Sequence, residues 1–138
     1  MNKGFTLVEL LIVVVIVGTL ITVALPKYQN SLERGRALEG LRNVQYVAEY
    51  VAAKHMATGE WPSDAELDQS LKVTDIIKSR FFTLPVFNKS AKTVTISRKG
   101  DWTYSLKAKI SDDVVSEITC TGADCASLDL TGNLMTRK

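Results

Sequence analysis

Residues 5–25 read FTLVELLIVVVIVGTLITVAL, with Met1-Asn2-Lys3-Gly4 before them and Pro26-Lys27 after. A helix of this length is roughly 31 Å long at 1.5 Å per residue, close to the hydrocarbon layer of a bilayer. Glu9 is the one charged residue in the run. Val and Ile are frequent, but lipid requires backbone groups to be bonded within the segment, which favours helix regardless. Outward from this stretch the composition is ordinary. The 138 residues carry a net charge of +2, 46% hydrophobic and 23% charged residues. That excludes a collagen-like, disulfide-dense or disordered chain, and a polybasic nucleic-acid binder would be far more positive. Two cysteines and one histidine leave little material for a metal site. No cofactor is expected.

Three readings of the N-terminus compete. A secretory signal peptide would have Lys3 as its basic region and Thr22-Val23-Ala24 as a cleavage site, but its apolar region would be long and would hold a carboxylate. A plain single-span anchor leaves Glu9 unexplained, because an intramembrane carboxylate is costly and usually functional. The third reading gives Glu9 a role. Residues 4–9, GFTLVE, and the span through ALPKYQ resemble the N-terminus of type IV prepilins and type II secretion pseudopilins. The likeness covers about 25 residues: a short charged leader ending in Gly4, then Phe5, then Glu9 inside an apolar run.

The resemblance implies cleavage between Gly4 and Phe5 by a prepilin peptidase, with N-methylation of the new Phe5 amine by the same enzyme. It implies a single-pass inner-membrane precursor with its head outside the cytoplasm. Inner-membrane assembly machinery then builds the chain into a homo-oligomeric helical filament. Glu9 is implied to serve assembly. Electrostatics supports that role independently. The helix dipole at this end favours the carboxylate and disfavours the ammonium. In a filament core each charge needs a partner, so Glu9 would meet the Phe5 ammonium of a neighbour. Breaking a buried pair typically costs about 3–5 kcal/mol, so such a pair would set register more than affinity. Gly18 and Pro26 weaken the helix, and a kink is expected at this segment. Thr19 and Thr22 offer hydroxyls to freed carbonyls. The family likeness adds unwinding between Gly18 and Pro26 when the subunit leaves the membrane.

After Pro26, residues 27–58 mix charge with apolar residues at helical spacing. Leu38, Leu41, Val44, Ala48, Val51 and Ala52 fall near one stripe, with Tyr28, Leu32 and Val47 beside it. Glu33, Arg34, Arg36, Glu39, Arg42, Glu49 and Lys54 are read as the solvated face. Gly35 and Gly40 argue against a straight helix. Thr58-Gly59 ahead of Trp61-Pro62 is a stop signal. His55 is read as a surface or edge residue. No catalytic constellation is visible.

Residues 59–138 read as a head. Ser63-Asp64-Ala65-Glu66 has capping-box spacing ahead of Leu67 and Leu71, so a short helix over 64–71 is expected. Strands are expected at 80–87, with Pro85 marking an edge, and at 92–98, 102–110 and 114–120. Trp102, Tyr104, Leu106, Ala108 and Ile110 alternate with polar residues, giving one buried and one wet face of an antiparallel sheet. Packing that face on the amphipathic helix is the economical solution. The expected fold is α+β, pilin-like: a leader at 1–4, a membrane or filament-core helix at 5–26, an amphipathic helix at 27–58 and an antiparallel head at 59–138. Cys120 and Cys125 would close a small loop worth roughly 2 kcal/mol if bonded, free thiols and a metal site being the other readings. The family resemblance favours a disulfide pinning the C-terminal region.

Lys89, Lys92, Arg98, Lys99, Lys107 and Lys109 read as a solvated sheet face, with DNA contact as the other reading. Asp75, Asp112 and Asp113 lack a convincing oxygen array for calcium. The function expected is a structural subunit of a type IV pilus, not an enzyme. The alternatives are a type II secretion pseudopilin and a membrane-tethered DNA- or ligand-binding module.

Overall fold

The computed structural model describes residues 4–73 and 79–135; the side chains of 71–73, including Leu71, and Asp75 lie outside that description, as do leader residues 1–3. A single helix, α1 (Leu7–Thr58), spans 52 residues. It runs unbroken through Gly18, Gly35, Gly40 and Pro26. It stops at Gly59, whose left-handed backbone (φ 74°) lets its N–H bond the His55 carbonyl at 2.7 Å. Glycine is suited to that cap because it adopts positive φ without a Cβ clash.

A second helix, α2 (Asp64–Val73), starts at the expected capping box. Ser63 Oγ accepts the Glu66 N–H at 3.3 Å, while Glu66 Oε2 accepts the Ser63 N–H at 2.9 Å. The Ser63 N–H and hydroxyl, both donating to Oε2, and then Lys54 lower the Glu66 carboxyl to a pKa of about 2.

Four antiparallel strands follow in the order β1 (Val86–Asn88), β2 (Thr93–Ser97), β3 (Ser105–Ser111) and β4 (Val114–Thr121). The first is much shorter than 80–87. Pro85 has no N–H for a ladder, and regular pairing with β2 is interrupted ahead of Val86. Residues 81–83 still run beside the end of β2, with Thr83 N–H bonded to Ser97 O at 2.8 Å and Lys99 N–H to Phe81 O at 2.8 Å. Strand β3 begins at Ser105 rather than Trp102, because the backbone ahead of it turns to meet the C-terminal loop. There Asp124 Oδ2 accepts the Thr103 N–H at 2.6 Å.

Asp112 and Asp113, at φ 51° and 60°, form the two-residue turn between paired Ser111 and Val114. Positive φ at both central positions is the requirement of a type I′ hairpin, and aspartate tolerates it better than most residues. The β3–β4 register shifts after Lys109, which pairs with Glu117 while Ile110 pairs with Val115. Ser116 is thus the extra residue of a bulge.

The inner sheet face carries Val94, Ile96, Tyr104, Leu106, Ala108, Ile110, Val115 and Ile118, all buried. It packs on Ala37, Val44, Val47, Ala48, Val51 and Ala52 of α1. The architecture is α+β, as the pattern predicts; Val44, Ala48, Val51 and Ala52 of the expected stripe are buried and Leu41 packs on the core, but its N-terminal part differs. Leu38 is 60% exposed, and Tyr28 and Leu32 are also exposed. Ala37 and Gly40 take the buried line instead. The Phe82 ring dictates this at Gly40: a Cβ there would lie 2.5 Å from Phe82 Cζ. Gly40 is therefore a packing position rather than a point of weakness in the helix.

Candidate functional site

Two structures on α1 bear on function: its bare N-terminal half and the anchor that fixes it to the head. Thr6 caps the helix in extended backbone (φ −78°, ψ 150°). Its Oγ1 accepts the Glu9 N–H at 3.3 Å, and Glu9 Oε2 lies 3.5 Å from the Thr6 N–H and 3.4 Å from its hydroxyl. This is a capping box, with two otherwise orphaned helix-end donors satisfied reciprocally. The structure thus brings Gly4, Phe5 and Glu9 into one helix start, with the carboxylate bonded to the residue next to Phe5. Thr6 carries the same S/T-x-x-E spacing that marks Ser63, here inside the apolar run.

Every residue from Gly4 to Gln29 is exposed, Phe5 by 82%. Among the described residues, α1 is the one helix long and apolar enough to cross a membrane. Gly18 has no atom within 4 Å of where a Cβ would sit. Thr19 Oγ1 donates to Ile16 O at 2.8 Å and Thr22 Oγ1 to Thr19 O at 2.7 Å, so both hydroxyls are satisfied by the helix itself.

The anchor lies about two to three turns beyond Pro26. Glu33, assigned by sequence to the solvated face, is fully buried. Arg98, assigned to a basic sheet face, has only 6% of its side chain exposed and bonds Glu33 through Nε and, at 2.8 Å, through an Nη. Tyr104 donates its hydroxyl to Glu33 Oε1 at 2.8 Å, and Arg36 adds a bond at 3.1 Å. Burial pushes the Glu33 carboxyl up, but the bonds from Arg98, Tyr104 and Arg36 and the Arg98 charge outweigh it, and the net shift is downward. The bond to Glu33 raises Arg98 despite opposing burial. Burial, then the Glu33 hydrogen bond, raises Tyr104 well above the usual phenol range. The group ties α1 to the residue just after β2 and the residue just before β3, across sequence separations of 65 and 71 residues. A signal for Glu33 was present: Glu33, Ala37, Gly40, Val44, Val47 and Val51 follow i, i+4, i+7, i+11, i+14, i+18, so the acid starts the true buried line.

The remaining predicted positions resolve differently. His55 is half-buried at the end of α1, with Nδ1 2.5 Å from Asp113 Oδ1 and its ring stacked on Trp61 at 3.8 Å. Asp113 is thereby occupied by His55 and the hairpin turn. Lys107 and Lys109 are exposed on the outer sheet face, and Lys92 Nζ lies 5.5 Å from the Trp61 ring centroid. Cys120 and Cys125 are joined in a disulfide with a Cα–Cα distance of 5.8 Å. Cys125 is buried, within a single 3₁₀ turn at Ala123–Cys125.

Residues 1–25 match the family model described as the prokaryotic N-terminal methylation motif. A fimbrial protein of Neisseria meningitidis serogroup A is 40% identical over 76 residues, covering 55% of this chain and 45% of the relative. The type IV major pilin protein PilE of Neisseria gonorrhoeae is 41% identical over 64 residues, covering 46% and 38%. A fimbrial protein of Pseudomonas aeruginosa is 28% identical over 131 residues, covering 77% of this chain and 85% of its own length. The chain therefore spans less than half the length of the Neisseria relatives it matches. No solved structure matches significantly. The chain thus carries a prokaryotic N-terminal methylation motif, joins a long apolar helix to a small antiparallel head, and is similar to fimbrial proteins and type IV major pilins.

Proposed function

We propose that this chain is a structural subunit of a type IV pilus. It is made as an inner-membrane precursor with the head outside the cytoplasm. Prepilin peptidase cuts it between Gly4 and Phe5 and methylates the Phe5 amine. The subunit then polymerises into a cell-surface filament whose core is the packed apolar helices. The division of labour is a leader at 1–4, a core helix at 5–26, an amphipathic helix at 27–58 and a head at 59–138. One observation carries this reading: the head satisfies its own apolar face, while Phe5 to Leu25 has no partner in its own chain. Surface of that size in water must be covered by lipid or by other copies.

Glu9 serves assembly. Its carboxylate is held at the helix start by Thr6 and can exchange those exposed bonds for a neighbour's Phe5 ammonium as the subunit enters the core. Gly18 and Pro26 form the segment that bends when the helix changes surroundings, with Thr19 and Thr22 supplying replacement hydrogen bonds. The Cys120–Cys125 bridge holds the C-terminal loop against the head.

Intact-mass analysis of the protein from sheared surface material tests the processing. Loss of four residues with gain of one methyl supports it, and a start near Leu25 overturns it. Electron microscopy of the same material should show filaments. Glu9→Ala should leave the head folded and strongly reduce fibre yield; wild-type yield from that variant rejects the assembly role.

A further inference from the structure

Two flanks of α1 carry opposite charges that the fold leaves over. On one, Arg34 is exposed and pairs with no carboxylate among the described residues. On the other, α1 and the loop ahead of β3 enclose a cleft of about 500 Å³ lined by Gln29, Leu32, Arg36, Asp101, Trp102 and Asp124. Leu32 and Arg36 each stand two residues from Arg34, roughly 200° around the helix, so the cleft and Arg34 lie on opposite flanks. Arg36 gives Glu33 one bond at 3.1 Å and lies 4.6 Å from the Phe81 ring centroid. Asp124 spends one oxygen on the Thr103 N–H at 2.6 Å. Asp101 is exposed and has no cation partner among the described residues. Two carboxylates against one guanidinium leave the cleft one positive charge short of balance.

The proposed filament brings these two flanks together. Copies of one chain in a helical polymer bind head to tail, through two different surfaces of each subunit. Glu9 and Arg34 are 25 residues apart in α1, about seven turns at 3.6 residues per turn, so both project from the same flank of the continuous helix. The neighbour whose Phe5 ammonium meets Glu9 therefore also lies beside Arg34. That pair limits the axial step. Glu9 stands four residues beyond Phe5, and its carboxylate bends back to 3.5 Å from the Thr6 nitrogen. A neighbour whose Phe5 amine reaches this carboxylate is shifted towards the head by one to four residues, roughly 1.5–6 Å. A helical polymer gives every residue the same axial step, so the offset set at Glu9 holds at Arg34. Residue 34 then stands level with residues 30–33 of the neighbour, inside the 29–36 span of its cleft. Arg42 stands level with 38–41 and Lys27 with 23–26, both outside that span.

We infer that the cleft of one subunit seats the Arg34 guanidinium of a second copy, the same copy whose Glu9 takes its Phe5 amine. Asp101 and the free oxygen of Asp124 accept the guanidinium N–H groups, a charge-assisted contact. Leu32 and the half-buried Trp102 give the Arg34 stem and its planar head an aliphatic and an aromatic wall. Glu9 thus fixes the neighbour within the core, and Arg34 fixes the same neighbour at the base of the head. The inference rests on the proposed filament and on the Glu9 pairing within it.

The test uses the full chain, assembled by cells and sheared from their surface. Wild-type material without filaments overturns the filament reading itself, and this inference with it. In filaments, Arg34→Cys and Asp101→Cys are combined in one chain and treated with a short bis-maleimide, the Cys120–Cys125 bridge left oxidised. We expect a ladder of dimers, trimers and longer multimers on denaturing electrophoresis. Neither single variant should give it, nor should Lys27→Cys or Arg42→Cys in place of Arg34→Cys. No ladder from the Arg34 combination, or an equal one from Lys27 or Arg42, overturns the inference while leaving the filament intact. Charge reversal gives a second reading that needs no cysteine. Arg34→Asp and Asp101→Arg should each lower fibre yield about threefold or more, the scale of one partly exposed charge contact, with unchanged head melting. Joined in one chain they should restore the yield. Losses that compound in the double variant, or single variants with wild-type yield, also overturn the inference.

Discussion

The two halves of α1 form one continuous helix, its hydrogen-bond ladder missing a donor at Pro26, yet they solve opposite problems. From Phe5 to Leu25 apolar residues surround the axis, and all are exposed. From Glu33 to Ala52 a narrow line is buried against the sheet and the rest is wet. The first half has no preferred face and suits any apolar surround, lipid or protein. The second has one partner, fixed by shape at Gly40 and by charge at Glu33. Helical propensity does not separate the halves; what each half packs against does. A rod built this way can change surroundings at one end while the head at the other stays intact.

That contrast breaks most sharply at Glu33. Glu33→Ala strands the Arg98 charge and the Tyr104 hydroxyl inside the head, at a cost of about 3–5 kcal/mol. Urea denaturation of the full chain in detergent, followed by tryptophan fluorescence, should show the loss, while membrane insertion of the N-terminal half is unchanged. A loss below about 1 kcal/mol would mean that the pair is not what anchors the helix.

Acid should weaken the same contact less completely. Glu33 has a lower pKa folded than unfolded, so the unfolded chain binds the extra proton first as pH falls. The contribution is complete above the ordinary carboxylate range near 4.5 and is lost as pH drops through the lower folded value. Head melting between pH 6 and pH 2 should fall in the wild type. It should fall less in Glu33→Gln, where this proton is absent.

Core packing gives the next effect. Val44→Ala removes two methyl groups from a fully buried site and should cost about 2 kcal/mol. Gly40→Ala should also destabilise, because overpacking against the Phe82 ring, about 1–3 kcal/mol, exceeds the roughly 1 kcal/mol gained in helix propensity. Phe82→Leu in the Gly40→Ala background should restore part of the loss; no coupling between the two sites would contradict the contact. The smallest effect sharpens the comparison. Leu38→Ala, one residue from the buried line but 60% exposed, should change head stability by less than about 0.5 kcal/mol.

Much of this was legible from residues 1–138 read in order. The 5–25 run, the Ser63–Glu66 box, the alternation at 104–110 and the Gly59 stop each depend on local spacing, and local spacing is what a sequence displays. The misses share a different cause. Glu33 and Arg98 look solvated in the sequence because each is charged, and nothing near either one announces the other. Gly40 looks like a weakness because propensity is a local quantity, whereas the ring that needs its missing Cβ arrives from residue 82. The strand expected over 80–87 is split into an isolated bridge at Phe82 and the short β1 on either side of Pro85, which has no N–H to donate.

Alone, the sequence determined that there is an apolar rod, where it ends, and that an α+β head follows it, because periodicity and hydrophobicity are properties of neighbours along the chain. Only the tertiary structure decided which line of α1 turns inward and which charges go with it. Burying an ion is tolerable only where a distant partner is brought within hydrogen-bond reach, and that distance exists only after the chain has folded.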